Sequence, residues 1–289
     1  ISFAGLADRV ASTTRLVNVS VRSNAGTGAQ TLIMGFVVRG PGSRSVLVRA
    51  VGPTLTDLHV DNPLEDPKLT LYKYDYTLEK FVFNDENDNW GGTSDLRDSF
   101  TRLGAQPLPD QSKDAALLKV LASAPYTAQV SSVDGAPGIA LVECYDAETG
   151  TASRLMNVSA RTQVGSGVAI LIAGFVIEGN TPKRVLVRGV GPTLAPGLSG
   201  TLADPKLTLF QYDPVTQQSS PIAENDNWGG AQALKDMQQA VGAQALISDD
   251  SKDAALLITL APGIYTAQVT GAGGTTGVAL VEVYDCDVP

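Results

Sequence analysis

Histidine occurs once, at His59, and cysteine twice, at Cys144 and Cys286, in a chain of 289 residues. One imidazole cannot build a catalytic triad or a zinc site, and two thiols without metal-ligand spacing exclude a disulfide scaffold. Charged residues make up only 18% of the chain, below the roughly 25% of average globular proteins. Basic residues are the scarcer kind, 21 against 30 acidic, a formal charge of −9. A phosphate backbone is repelled by such a surface, so nucleic acid is not an expected partner. Long apolar runs are missing too. The longest, VAILIAGFVI at 168–177, is half of what a membrane span needs, so no membrane insertion is expected. The chain opens at Ile1 without methionine, which is read as a removed signal peptide or a fragment. What is present is 43% hydrophobic residues and 29 glycines, the composition of short strands joined by many tight turns.

The chain is one unit written twice. RLVNVS at 15–20 returns 139 positions later as RLMNVS at 154–159, and VLVRAVGPTL at 46–55 returns as VLVRGVGPTL at 185–194. DPKLTLYKYD at 66–75 returns as DPKLTLFQYD at 204–213, now 138 positions later. ENDNWGG at 86–92 and SKDAALL at 112–118 return intact at 224–230 and 251–257, and GIALVECYD at 138–146 as GVALVEVYD at 277–285. The expected organisation is an N-terminal arm at 1–14, a first repeat at 15–146, a linker at 147–153 and a second repeat at 154–289. A linker that short keeps the two units close and limits their orientation.

Within a copy the dominant period is two. In the first, VNVSVR, TLIMGFVV, SVLVRAV, KLTLYKY, KFVFN, AALLKVL, YTAQVSS and IALVECY read as eight strands between Gly, Pro, Asn and Asp turns. TSDLRDSFTRLG at 93–104, matched by AQALKDMQQAVG at 231–242, has helical spacing and ends in a glycine suited to a C-terminal cap. The expected fold is all-β: two tandem antiparallel, jelly-roll-like β-sandwiches, each with one short helix.

Few residues offer chemistry. In ENDNWGG, Glu86 and Asp88, with Glu224 and Asp226 in the second copy, are hard oxygen donors that could hold a structural calcium ion. The same Asn-Asp-Asn string is good turn chemistry without any ion. Trp90 and Trp228 occupy equivalent places, and each is either a polysaccharide-stacking platform or a plug for the end of its sandwich; the plug is favoured. Arg49, Arg188, Glu143 and Glu282 lie inside apolar strands, where a cross-strand Arg–Glu pair in each copy is the economical arrangement. Cys144 and Cys286 sit at nearly equivalent ends of the two copies: a bond inside one chain requires the copies to lie side by side, and the alternatives are a bond between neighbouring chains or two unpaired thiols. The arm carries apolar Ile1, Phe3 and Leu6, a pattern that either folds back on its own domain or adds to a neighbour's sheet edge.

The series RLxNVSxR, GFVVxG, VLVRxVGPTL, DPKLTL, ENDNW, SKDAALL, YTAQV and GxALVExYD resembles a repeat common in large secreted and surface proteins of environmental bacteria, a family without a defined activity. The back half of each copy, from DPKLTL onward, is similar to the bacterial pre-peptidase C-terminal domain. That resemblance implies a secreted β-sandwich that accompanies enzymes and in places binds calcium or polymeric substrates. The longer loop and helix after ENDNW depart from that pattern, and neither resemblance supplies a catalytic residue.

These readings converge on a non-enzymatic extracellular or cell-surface protein: a self-assembling, pilus-like fibre or adhesin subunit that requires no cofactor and whose partner is itself, as a head-to-tail homopolymer. The alternative is a carbohydrate- or matrix-binding module of a larger secreted enzyme, with polysaccharide as partner. A hydrolase using Asp88 and Asp226 ranks third.

Overall fold

Alternation along RLVNVSVRSNA sends Leu16, Val19, Val21 and Ala25 to one side, and the same pattern recurs at 139 residues' distance. A computed structural model of the chain describes residues 14–148, 154–167 and 169–287. The first copy forms β1 (Arg15–Ala25), β2 (Leu32–Val51), β3 (Pro67–Asp75), β4 (Lys80–Asn87), α1 (Ser94–Leu103), β5 (Ala115–Ser132) and β6 (Gly138–Asp146). The second forms β7 (Arg154–Val164), β8 (Leu171–Glu178), β9 (Lys183–Val190), β10 (Pro205–Asp213), β11 (Gln218–Asn225), α2 (Gln232–Val241), β12 (Ala254–Leu260), β13 (Gly263–Gly271) and β14 (Gly277–Asp285). The all-β architecture with one short helix per copy is therefore what the chain adopts.

Two pairs of expected strands are fused in the first copy. TLIMGFVV and SVLVRAV are the two halves of β2, joined through a bend at 39–43 where Gly40 and Gly42 take φ of 130° and 97°. AALLKVL and YTAQVSS are likewise the two halves of β5. In the second copy the same segments stay separate as β8 and β9, and as β12 and β13.

All pairings between these strands are antiparallel, and they generate two eight-stranded layers. One runs β4, β3, β5 (124–132), β2 (32–39), β7, β14, β9, β12. The other runs β11, β10, β13, β8, β1, β6, β2 (46–51), β5 (115–122). Each layer takes half its strands from each copy. The two sandwiches thus lie side by side and merge at both layers, rather than hanging as separate beads on the 147–153 linker.

The merger has pseudo-twofold symmetry. Ser20 of β1 is in register with Gly174 of β8, and Ser159 of β7 with Gly35 of β2. Both glycines are required by the approach: a Cβ at Gly35 would stand 2.5 Å from Ser159 Oγ, and one at Gly174 2.6 Å from Ser20 Oγ. One hydrophobic core runs through both copies, with Leu69, Val48 and Phe36 from the first and Leu207, Val187 and Phe175 from the second. Continuous burial of Val46–Val51 and its counterpart has a separate cause. The side chains there that face away from the shared core are covered by the helix and loops, which build a second cluster around Leu47, Trp90 and Phe100 and a third around Leu186, Trp228 and Leu234. Each helix stops at a glycine in the left-handed region, Gly104 at φ 64° and Gly242 at φ 71°, as the spacing indicates.

Candidate functional site

The motifs shared by the two copies converge in space and bond to one another. Asp114, from SKDAALL, is buried and accepts a hydrogen bond from Gly52 N at 2.7 Å and another from the Thr54 hydroxyl, both in VGPTL. Its carbonyl accepts from Trp90 N at 2.8 Å, and Asn87 Oδ1 accepts from Ala116 N at 3.0 Å, which ties in ENDNW. Asp253, Gly191, Thr193, Trp228 and Asn225 repeat the arrangement. The aspartates that most resemble catalytic residues by burial are thus spent on holding three distant loops together.

Arg49 and Glu143 are register partners on β2 and β6, and they are wholly or nearly buried. Arg49 Nε and Nη2 donate to Glu143 Oε2 at 2.9 and 2.5 Å, while Nη1 donates to Gln106 O at 2.5 Å. The other carboxylate oxygen accepts from the Tyr145 hydroxyl at 2.7 Å, and the guanidinium lies 4.8 Å from the Phe100 ring centre. Arg188, Glu282, Tyr284 and Gln244 O form the equivalent set. Burial first, and then the neighbouring glutamate charge, pushes the Tyr145 and Tyr284 phenols far above their ordinary value. They stay protonated and act as donors.

The ENDNW glutamates are paired with lysines. Glu86 pairs with Lys68 at 2.9 Å and Glu224 with Lys206 at 3.0 Å. Asp88 and Asp226 accept from the amides of Asn89 and Asn227 at 3.2 and 3.1 Å. Among the described residues no group of three or more His, Cys, Asp or Glu side chains is placed to share a metal ion. The indoles are not platforms. Trp90 is 2% and Trp228 5% exposed, and their Nε1 atoms donate to Pro109 O and Ser248 O, so each plugs the space under its helix. Both cysteines are free. Cys144 lies in the shared core, and burial raises its thiol pKa well above normal; the Cys286 thiol is pushed up to about 12, again chiefly by burial. A bond from Cys144 to a neighbouring chain would require opening that core. Ile1, Phe3 and Leu6 lie outside the described residues.

A broad depression lies elsewhere, on the outer face of the first layer. A cleft of about 790 Å³ runs from the β3–β4 hairpin of the first copy to the capping loops of the second. Its floor is low because Gly35 and Ser159 sit there side by side. Tyr72 and Phe81 form one wall, and Leu194 and Gln244 of the second copy the other. Gln129 and Arg161 stand between them, and Arg161 is exposed, its guanidinium making no ion pair or hydrogen bond among the described residues. Asn157, also lining it, keeps a buried Oδ1 without a partner.

The aromatic wall continues along the hairpin. Tyr72 meets Phe83 edge-on at 6.4 Å, and Tyr74 meets Phe81 at 5.3 Å and Tyr76 at 5.2 Å. Phe81 and Phe83 are 46% and 60% exposed. The second copy places Phe210 against Pro221 and Tyr212 against Ser219 at the same register, so its hairpin lacks the ladder. That divergence, KFVFN against QSSPI, is the trace of this site in the sequence, whereas the Trp positions stand out there because they are repeated.

A smaller cleft of about 500 Å³ at the merger is lined by Arg15, Asp146 and Glu178. Its charges answer each other, with Arg15 3.1 Å from Glu178 and 3.8 Å from Asp146. No helix among the described residues is long and apolar enough to cross a membrane.

No protein-family model matches the chain, and no curated protein matches it either. Solved structures with some similarity include a DUF4785 family protein from Legionella pneumophila, at 8% identity and TM-score 0.24, covering 96% of this chain and 81% of that one. A peptide-N(4)-(N-acetyl-β-D-glucosaminyl) asparagine amidase follows at 12% identity and TM-score 0.23, covering 94% and 97%. A chain from the Sulfolobus Turreted Icosahedral Virus structure stands at 11% identity and TM-score 0.23, covering 95% and 90%. TM-scores of this size carry no argument about what the chain does.

Proposed function

We propose that the chain is a non-enzymatic structural protein of the cell exterior, a self-assembling surface-fibre or adhesin subunit. The observation that carries this reading is that one continuous body ends in two unlike open edges. The contact between copies is isologous, with equivalent residues exchanged across a pseudo-dyad, so it closes on itself and cannot be reused to string chains together. It consumes the inner edges of both copies. Among the described residues, β4 and residues 115–122 of β5 each pair on one side only on the outer side of the first copy, and β11 and β12 do so on the outer side of the second.

Those two ends differ. At the first, Lys119 bridges the layers to Asp85, with Phe83 and Val120 exposed beside them. At the second, Ala223 and Ile258 replace that pair and pack on the core. Two unlike ends are a head and a tail, and joining them gives a heterologous contact that propagates unless it closes into a ring. Unpaired strand edges supply main-chain hydrogen bonds for it, and the arm at 1–13 is a candidate for the added strand. The 289-residue chain is expected to sediment as long polymers visible in the electron microscope, and deletion of residues 1–13 to leave monomers. A monodisperse monomer of the intact 289-residue chain at high concentration would remove the proposal.

The second reading, a carbohydrate- or matrix-binding module, is favoured by the cleft beside the aromatic hairpin, and its anchor moves from the two tryptophans to that site.

A further inference from the structure

We propose that the cleft on the outer face of the first layer binds a neutral, hydroxyl-rich polysaccharide chain, with Tyr72 and Phe81 as stacking surfaces and Gln129, Asn157, Arg161 and Gln244 as hydrogen-bonding partners. The inference deepens the carbohydrate-binding reading above and rests on it; it does not depend on the fibre reading.

Four observations carry it. The cleft has the volume of a small-molecule site and combines aromatic walls with a few polar groups, the usual make-up of a ligand pocket. Its polar members are not satisfied internally: Arg161 has no partner among the described residues, and Asn157 Oδ1 is buried without one. The aromatic wall is exposed where exposure is unfavourable, with Phe81 at 46% and Phe83 at 60%. The floor, finally, is flat because Gly35 carries no side chain beside Ser159, so an extended chain can lie across the strands.

The ligand class follows from the charges. The protein as a whole carries −9, which disfavours a polyanion, while a single unpaired guanidinium does not outweigh that field. A neutral glycan presents apolar ring faces to Tyr72 and Phe81 and hydroxyls that both donate and accept, matching amide and guanidinium groups together. The duplication supplies an internal comparison, because the second copy carries Ser219 at the register of Phe81 and Pro221 at that of Phe83.

The test is affinity electrophoresis of the full chain through gels containing hydroxyethyl cellulose, galactomannan or a soluble β-1,3-glucan, with polygalacturonate as the acidic comparison. Retardation by at least one neutral polymer is expected. Tyr72→Ala and Phe81→Ser should each weaken it roughly tenfold, and Arg161→Ala about fivefold. Phe81→Ser installs the residue the second copy already tolerates, so its hairpin keeps its pairing; an unchanged urea midpoint checks this. Deletion of residues 1–13 should leave retardation intact, which separates failure of this proposal from failure of the fibre reading. Free migration in all three neutral gels, retardation by polygalacturonate alone, or retardation that survives Tyr72→Ala and Phe81→Ser combined would overturn it.

Discussion

Arg49 and Glu143 show what a charge inside an apolar strand is for in this molecule. Each is surrounded by protein, and each is held by more than its partner: the guanidinium also reaches Gln106 O, and the carboxylate also accepts from Tyr145. Removing one member leaves the other ionised in a medium that cannot solvate it. Glu143→Ala is therefore expected to cost about 3–5 kcal/mol, whereas Arg49→Met combined with Glu143→Leu should be close to neutral. Urea unfolding monitored by tryptophan fluorescence measures both. If the single variant is as stable as the double, the pair is not a desolvated one. The two tyrosines add a pH dependence. Tyr145 and Tyr284 have folded-state pKa values raised above the ordinary 10.0, so folding favours their protonated forms. That contribution is complete below the unfolded value and is lost as pH rises above it. The urea midpoint should fall above about pH 10, and a Tyr145→Phe, Tyr284→Phe variant should fall less steeply.

At the scale of the elements, the glycine in GFVV illustrates how one missing Cβ fixes a strand pairing. Gly35 and Gly174 each accept the serine of the other copy's first strand, and neither could do so as alanine without displacing that serine. Gly35→Ala should destabilise by about 1–3 kcal/mol, and Ser159→Ala on the same chain should recover most of it, because the clash is with Oγ at 2.5 Å and Cβ lies at 3.9 Å. Additive losses in the double variant would refute the contact. Much at this scale was legible beforehand. Alternation locates the strands, and the glycines after α1 and α2 mark their ends, because those signals are local. The continuity of β2 was not legible, since Gly40–Pro41–Gly42 reads as a turn and is instead a bend that carries one strand from layer to layer. Nor was the cleft, whose walls come from Tyr72 in one copy and Gln244 in the other. A strand's alternation says which face is buried and nothing about which copy supplies its neighbour.

At the scale of the whole molecule, the duplication is a dimer made covalent. Because equivalent residues meet across the pseudo-dyad, a single copy expressed alone has the edges needed to rebuild the merger with a second identical copy. The seams are not equal, however. Where β1 meets β8, Arg15 pairs with Glu178 at 3.1 Å; at the matching place where β2 meets β7, Arg39 stands opposite Arg154. A homodimer of residues 14–148 would set Arg15 against Arg39 in both seams, two like-charge contacts. A homodimer of residues 154–287 would set Arg154 against Glu178 in both, two favourable ones. Opposite charges across strands contribute roughly 0.2–1 kcal/mol and like charges cost a similar amount, so two seams compound the difference. The second copy alone is therefore expected to dimerise at least about fourfold more tightly than the first at low salt, with the gap narrowing as salt screens the seams. Light scattering with size-exclusion chromatography, repeated at 50 mM and 500 mM salt, measures both quantities. Two folded monomers, or a tighter dimer from the first copy, would mean that the edges shared by the repeats do not recognise each other without the covalent link.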